Sequence, residues 1–247
     1  NNQEKIHTYD INLESIYKEA NLEIITSEQF KIPLLLKDGS IIIPEVGKEK
    51  AIIKLDQCGN LVAFNKEFRT HHSLEQDSEG KIYTPVIMYR ESVNKYKNLH
   101  PKNFGFDGFV VMDDDLKILN TYSLLDIYEK NNLLGDIYNH GSHKFAGDIF
   151  HVNDVEPYIS ESGEKYVLIS HLRHSRVMAV NLENLKVLWF IERATNSQHD
   201  VDIIDEKNNS IDISIFDNNN YKFGPLPYQE IELGNRILYL KNLPLNK

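Results

Sequence analysis

Ile32-Pro-Leu-Leu-Leu36, Lys37-Asp-Gly-Ser40, Ile41-Ile-Ile-Pro44, Ala51-Ile-Ile-Lys-Leu55, Asp56-Gln-Cys-Gly-Asn60 and Leu61-Val-Ala-Phe64 alternate short apolar runs with turns. Gly and Asn accept positive φ, so Asp-Gly and Cys-Gly-Asn are hairpin chemistry. Four strands within residues 32–64 is the content of one propeller blade.

Working outward, the pattern recurs. A second unit is predicted from His71-His-Ser-Leu-Glu75, Lys81-Ile-Tyr-Thr-Pro85, Gly108-Phe-Val-Val-Met112 and Leu116-Lys-Ile-Leu119, with residues 88–106 as a polar surface loop. A third runs Phe150–Glu156, Lys165–Ser170, Arg176–Val180 and Lys186–Ile191. The fourth takes Val201–Ile204, Ser210–Phe216, Tyr228–Leu233 and Arg236–Leu240. The expected fold is all-β, a β-propeller of four-stranded antiparallel blades with short helical insertions. Four blades are readable, and a β-sandwich is the competitor. A short helix is expected over Asn12–Ala20, within an N-terminal extension of residues 1–20, and another over Ser123–Lys130 with a Ser cap. The whole chain, residues 1–247, is read as a single propeller domain, shortened or a partial ring.

Composition narrows the partners. A formal net charge of −10 argues against nucleic acid, because phosphate binding needs a basic face. No run approaches the roughly 18 apolar residues of a membrane span, and the start lacks the apolar core of a signal peptide. The single Cys58 sits in a turn and forms no internal disulfide. Asp113-Asp-Asp115 lacks the spacing of a calcium loop and reads as a solvated hairpin turn, His140-Gly-Ser-His143 as a surface loop, and Trp189 as core packing.

The unusual residues fall at the first strand of each later unit. In Asp148-Ile-Phe-His-Val-Asn-Asp-Val-Glu156, His151 and Asn153 stand two apart and, on a strand, project from one face. His71 and His72 open the second unit, His199 precedes the fourth, and Ser170-His-Leu-Arg-His-Ser-Arg176 adds His171, Arg173 and Arg176. Innermost strands line a propeller's channel, and imidazoles with a guanidinium suit a tetrahedral anion such as sulfate or phosphate.

In order and rough spacing, Asp148-Ile-Phe-His-Val-Asn153, Val177-Met-Ala-Val-Asn181, Lys186-Val-Leu-Trp189, Gln198-His-Asp200 and Phe216-Asp-Asn218 resemble the arylsulfotransferase propeller family over about residues 50–220. The resemblance implies a six-bladed ring in the family and transfer of sulfate from an aryl ester to a phenol without a nucleotide donor. It implies His199 as the nucleophile that takes the sulfuryl group, His151 and Asn153 as the pair on the sulfate or leaving oxygen, Arg173 as the sulfate clamp, and His72 as a further channel His. It also implies no cofactor or metal, and a periplasmic or secreted setting. The family's Ser-x-Arg is one residue longer here, so His171, Arg173 and Arg176 all compete for the clamp, and the family's later blades are not seen. Two other readings stand beside it: a non-catalytic propeller binding a small anion or a protein, and a metal-dependent enzyme using His151 with Asp154 and Glu156.

Overall fold

The structure is a computed structural model that describes residues 7–25, 31–89, 105–139, 150–207, 209–223 and 229–245. Asp148, Ile149 and the His140–His143 segment lie outside them. The helix Leu13–Ala20 (α1) starts where the Asn12 side chain accepts the Ser15 N–H, and packs Ile16, Tyr17 and Ala20 onto the first sheet.

That sheet is a meander of β1 (Leu34–Leu35), β2 (Ile41–Val46), β3 (Ala51–Leu55) and β4 (Leu61–Asn65), as the sequence predicts. One five-residue turn closes its first and last hairpins and recurs. In Leu36–Ser40, Asp56–Asn60, Asp77–Lys81, Asp113–Lys117 and Ser160–Glu164 the first residue pairs with the fifth, and the fourth N–H returns to the first carbonyl. The Asp side chain locks the turn: Asp56 Oδ1 accepts the N–H of Cys58 at 2.8 Å and of Asn60 at 2.9 Å. Gly59 is required twice over, by its φ of +87° and because a Cβ there would stand 2.3 Å from the Asp10 carbonyl oxygen. The Asp113 turn is a hairpin of this type.

The second sheet contains β5 (Arg69–Thr70), β6 (Glu75–Gln76), β7 (Ile82–Tyr89), β8 (Gly105–Met112) and β9 (Ile118–Ser123), with β5 and β6 both pairing β7. His71–Leu74 therefore break the predicted first strand instead of continuing it. Strands β7 and β8 extend into the stretch read as a loop, and residues 90–104 are outside the described part. Helix α2 (Leu124–Lys130) follows Ser123, whose side chain makes no capping bond. A further helix, α3 (Leu134–Asn139), was not anticipated.

The third sheet, β10 (Val152–Ile159), β11 (Lys165–His171), β12 (Arg176–Asn181) and β13 (Val187–Glu192), matches its prediction closely. It is buried on both faces, and side-chain alternation sorts its residues. Val167, Ile169, Met178 and Val180 join the core shared with the second sheet and α2, while Tyr166, Leu168, Val177 and Ala179 pack on the fourth sheet.

The fourth sheet departs from expectation. It has three strands, β14 (Gln198–Lys207), β15 (Ser210–Asp217) and β18 (Arg236–Pro244), while β16 (Asn220–Phe223) and β17 (Gln229–Glu232) form a separate hairpin. Within the predicted Tyr228–Leu233 run, Gln229–Glu232 thus pairs locally and leaves β18 to complete the blade. Successive antiparallel meanders stacked in this way are propeller blades. They form an open series: among the described residues no strand of the first sheet pairs with the last.

Candidate functional site

Irregular first strands build the site. Between β5 and β6, Thr70 pairs with Val86 and Glu75 with Tyr83, so four residues oppose two. In β10 the register shifts between Val152 and Asp154, leaving Asn153 as the extra residue. In β14 it shifts between Gln198 and Asp200, and His199 is the extra residue. Bulges re-aim side chains. Here three consecutive blades carry one at the same place, which explains how His72, Asn153 and His199 come to face one another.

His72 and His151 have left-handed backbones, with φ of +59° and +51°, a conformation that non-glycine residues hold only when their surroundings enforce it. For His72 the enforcement comes from the first blade. The buried Glu45, itself in the β2 bulge, accepts the His72 N–H at 2.8 Å and holds Lys50 at 2.7 Å. Burial opposes its charge, but Lys50 and the His72 N–H prevail and keep the Glu45 carboxyl below its usual range. Neighbouring His71 donates its N–H to the Pro85 carbonyl. Around His151, Leu172 N–H donates to the His151 carbonyl at 3.1 Å and Val152 N–H to Asp107 Oδ2 at 3.2 Å. His151 therefore precedes the strand and does not share a strand face with Asn153 as the spacing suggested.

The imidazoles meet edge to edge. His72 Nε2 lies 3.1 Å from His151 Nε2. Ring centroids are 4.8 Å apart for His71 and His151 and 5.4 Å for His72 and His199. Burial, and then the neighbouring imidazoles, push His71 down to about 4 and His72 to about 2, so both are neutral at physiological pH. His72, Ser73, Asn153, His199 and Asp200 open on a cavity of about 370 Å³, whose other side presents Ile32, Phe216 and Ile237.

Carboxylates stand beside the imidazoles. Glu75, Asp154 and Asp200 place ligand atoms within 4.8 Å of one another, a group separate from His151. Burial, reinforced by mutual repulsion, raises Glu75 and Glu156 to about 8, Asp154 well above its ordinary value, and Asp200 upward. Two of them also join blades: Asp154 Oδ2 accepts the Val201 N–H at 3.0 Å, and Glu156 Oε1 the Ile203 N–H at 3.4 Å.

Gln198 is the junction that the sequence did not advertise as such. Fully buried, it donates to the His171 and Arg176 carbonyls at 2.9 and 3.0 Å and accepts from Thr195. Its own carbonyl receives Asn153 Nδ2 at 2.7 Å. Buried Asp217 accepts the Asn196 N–H and the Arg236 Nε, fixing the loop that leads to His199. Only the residue type could have hinted at Glu45, and Gln198 stood in the Gln198-His-Asp200 motif without a role of its own.

The other expected site residues lie elsewhere. His171 is fully buried, 3.2 Å from the Tyr128 hydroxyl and beside Phe150 and His174. Arg173 sits in a 3-10 turn, Leu172–His174, where its N–H donates to the Phe150 carbonyl. Arg176 is 2% exposed, over the Phe190 ring and bonded to Tyr128, Asp136 and Glu192. None of the three lines the cavity.

Residues 32–243 match the family described as Arylsulfotransferase (ASST). No curated protein sequence matches closely enough to count as a relative. Among solved structures, the Dos1 propeller is 10% identical at a TM-score of 0.44, over 87% of this chain and 44% of that one. A protein of unknown function from Bacteroides caccae is 10% identical at a TM-score of 0.40, over 77% and 58%. The chain spans about half the length of those two structures.

Proposed function

This chain belongs to the arylsulfotransferase family, and on that premise we propose that it moves a sulfuryl group from an aryl sulfate to a phenolic acceptor through His199. The observation that carries the reading is the arrival of His72, Asn153 and His199, from three blades, at one cavity with an apolar wall. Ile32, Phe216 and Ile237 suit an aromatic ring, and the polar side suits its ester.

A ring nitrogen of His199 attacks sulfur. The N–S bond forms as the S–O(aryl) bond breaks, and its electron pair leaves on the aryl oxygen. Asp200, next in sequence and on the same wall, has its carboxyl pKa raised by burial and by Asp202, which suits it to protonate that oxygen. In the return step the acceptor phenol gives its proton to the Asp200 carboxylate and attacks sulfur, and the imidazole departs neutral. Asn153 offers its amide to the ester oxygens, and Lys31 is close enough to act electrostatically on His72. His171, Arg173 and Arg176 have no direct part in this reading.

The test is turnover of a chromogenic aryl sulfate with a phenol, together with intact-protein mass after donor alone. The wild type is expected to gain one SO3 group on His199, and His199→Ala to lose both the adduct and turnover. Equal turnover in the two proteins would overturn the reading.

A further inference from the structure

We propose that the imidazoles of His71, His72 and His151 form a binding site for a divalent transition-metal cation of the zinc class. One ligand nitrogen from each ring falls within a 4.8 Å span. The closest pair, His72 Nε2 and His151 Nε2, is 3.1 Å apart. Ligands at about 2.0–2.1 Å from a tetrahedral zinc stand about 3.3 Å from each other, so little movement separates this arrangement from coordination. The two Nε2 atoms now share a proton, and a metal ion would replace it.

The surroundings suit a cation. His71 Nδ1–H donates to the Val152 carbonyl at 3.2 Å, which fixes the tautomer and turns Nε2 toward the cluster. Metal-bound histidines make such outer bonds to backbone carbonyls. Buried Glu45 is bonded to the His72 backbone and also acts electrostatically on His71, placing a negative charge behind both rings. Two left-handed histidines, each fixed by one backbone hydrogen bond of its own and one of its chain neighbour, are a preorganised pair, and a neutral hydrogen-bonded contact alone gives no reason to hold them so. Three imidazoles favour zinc, cobalt, nickel or copper over the oxygen-seeking magnesium and calcium.

Three protein ligands leave a fourth position, and His72 is also a lining residue of the His199 cavity. Among the described residues, no Lys or Arg lines that cavity. A cation there would supply the positive charge that a sulfate ester needs, acting as a Lewis acid on its oxygen. That role, unlike the site itself, rests on the sulfuryl-transfer reading.

The experiment is titration of the full chain, stripped with a chelator, with Co2+ alone, followed by visible absorption and competition with Zn2+. Expected are one equivalent of Co2+ with a four- or five-coordinate ligand-field spectrum, displacement by Zn2+, and no displacement by Mg2+ or Ca2+. Affinity should fall by at least about 100-fold in His71→Ala and in His151→Ala and about 10–100-fold in Glu45→Gln, the range of an outer-shell partner, while His199→Ala keeps binding. X-ray absorption on the zinc-loaded wild type should count three imidazoles, and it decides the matter if the variants do not fold. No saturable Co2+ binding, an all-oxygen shell, or binding unmoved by the His71 and His151 substitutions would overturn the site. Since no substrate enters the assay, that failure would leave sulfuryl transfer standing.

Discussion

Replacing Gln198 tests whether the third and fourth blades are joined where the structure joins them. In Gln198→Leu the buried carbonyls of His171 and Arg176 lose donors at 2.9 and 3.0 Å, and the Thr195 hydroxyl loses its acceptor. Each orphaned buried polar group costs about 1–3 kcal/mol. Partial relaxation and the added apolar surface offset some of this, leaving an expected loss of about 3–5 kcal/mol. Against a typical stability of about 5–15 kcal/mol that is severe. Urea unfolding monitored by Trp189 fluorescence suits the question, because this single tryptophan donates its Nε1–H across the same junction to the Pro244 carbonyl. Gln198→Glu should be worse than Gln198→Leu above neutral pH, since it points a carboxylate at two carbonyl oxygens. It should recover as the pH falls and the carboxyl protonates. A Leu variant within about 1 kcal/mol of wild type, or a Glu variant indifferent to pH, would refute the argument.

Stability should be greatest on the acid side of neutrality. Glu75 and Glu156 are raised to about 8 from 4.5, so the folded state holds protons that the unfolded state has released. Their contribution is complete below 4.5 and is lost progressively as the pH climbs from 4.5 through 8, so the melting temperature should fall between pH 6.5 and 8 and fall less in Glu75→Gln. His71 and His72 are lowered from 6.5 to about 4 and 2, so stability is also lost as the pH drops below 6.5. A melting temperature that rises from neutral to alkaline pH would sink this account. Phe216→Ala, which trims the apolar wall, should raise KM for an aryl sulfate about tenfold, or about 1.4 kcal/mol, with little change in kcat; an unchanged KM would move the aryl group elsewhere. Arg176→Met strips the guanidinium from Tyr128, Asp136 and Glu192 and should cost about 2–4 kcal/mol in urea unfolding. The two carboxylates are partly exposed and can rehydrate, which moderates the loss. A folded Arg176→Met protein with no turnover would return the clamp to Arg176.

The first and third blades were legible because alternation and turn chemistry agree there: three of their hairpins, at Leu36–Ser40, Asp56–Asn60 and Ser160–Glu164, close on a five-residue turn with Asp or Ser at the first position or Gly at the fourth. The fourth blade misled because Tyr228–Leu233 and Arg236–Leu240 carry equally strand-like sequences, and only tertiary pairing decides which completes the sheet. His151 and Asn153 stand out by their chemistry, but the shared strand face that their spacing suggests is not formed: alternation assumes a regular strand, whereas His151 precedes β10 and β10 is bulged between Val152 and Asp154. Spacing between Ser170 and Arg176 could not show that β11 and β12 turn His171 and Arg176 toward Tyr128. Glu45 escaped notice because a lone carboxylate in an apolar run has no local signature. Its meaning lies twenty-seven residues away, in the N–H of His72.

The site does not need a closed ring to hold its geometry. Its His and Asn side chains come from the second, third and fourth blades, and each boundary has its own fastening. The first blade grips the second through Glu45 and His72, and through Thr70 Oγ1, which donates to the Lys50 carbonyl at 2.8 Å. The third grips the fourth through Asp154 on Val201, Glu156 on Ile203 and Gln198 on the His171–Arg176 hairpin. Between the second and third the tie is apolar, Leu74, Val86 and Phe109 packing in one core with Val152, Val155 and Ile169, reinforced by Asp107 on the Val152 N–H. Buried bonds at these boundaries are shielded from water, so each distance among the imidazoles is set by its immediate neighbours rather than by the far edge of the molecule. An open series of sheets can therefore carry a constellation that requires three of them, and the same fastenings explain the concentration of buried carboxylates there. Asp154 and Glu156 cap inner-strand N–H groups across a blade boundary, and burial, reinforced by their mutual repulsion, raises the carboxyl pKa values there.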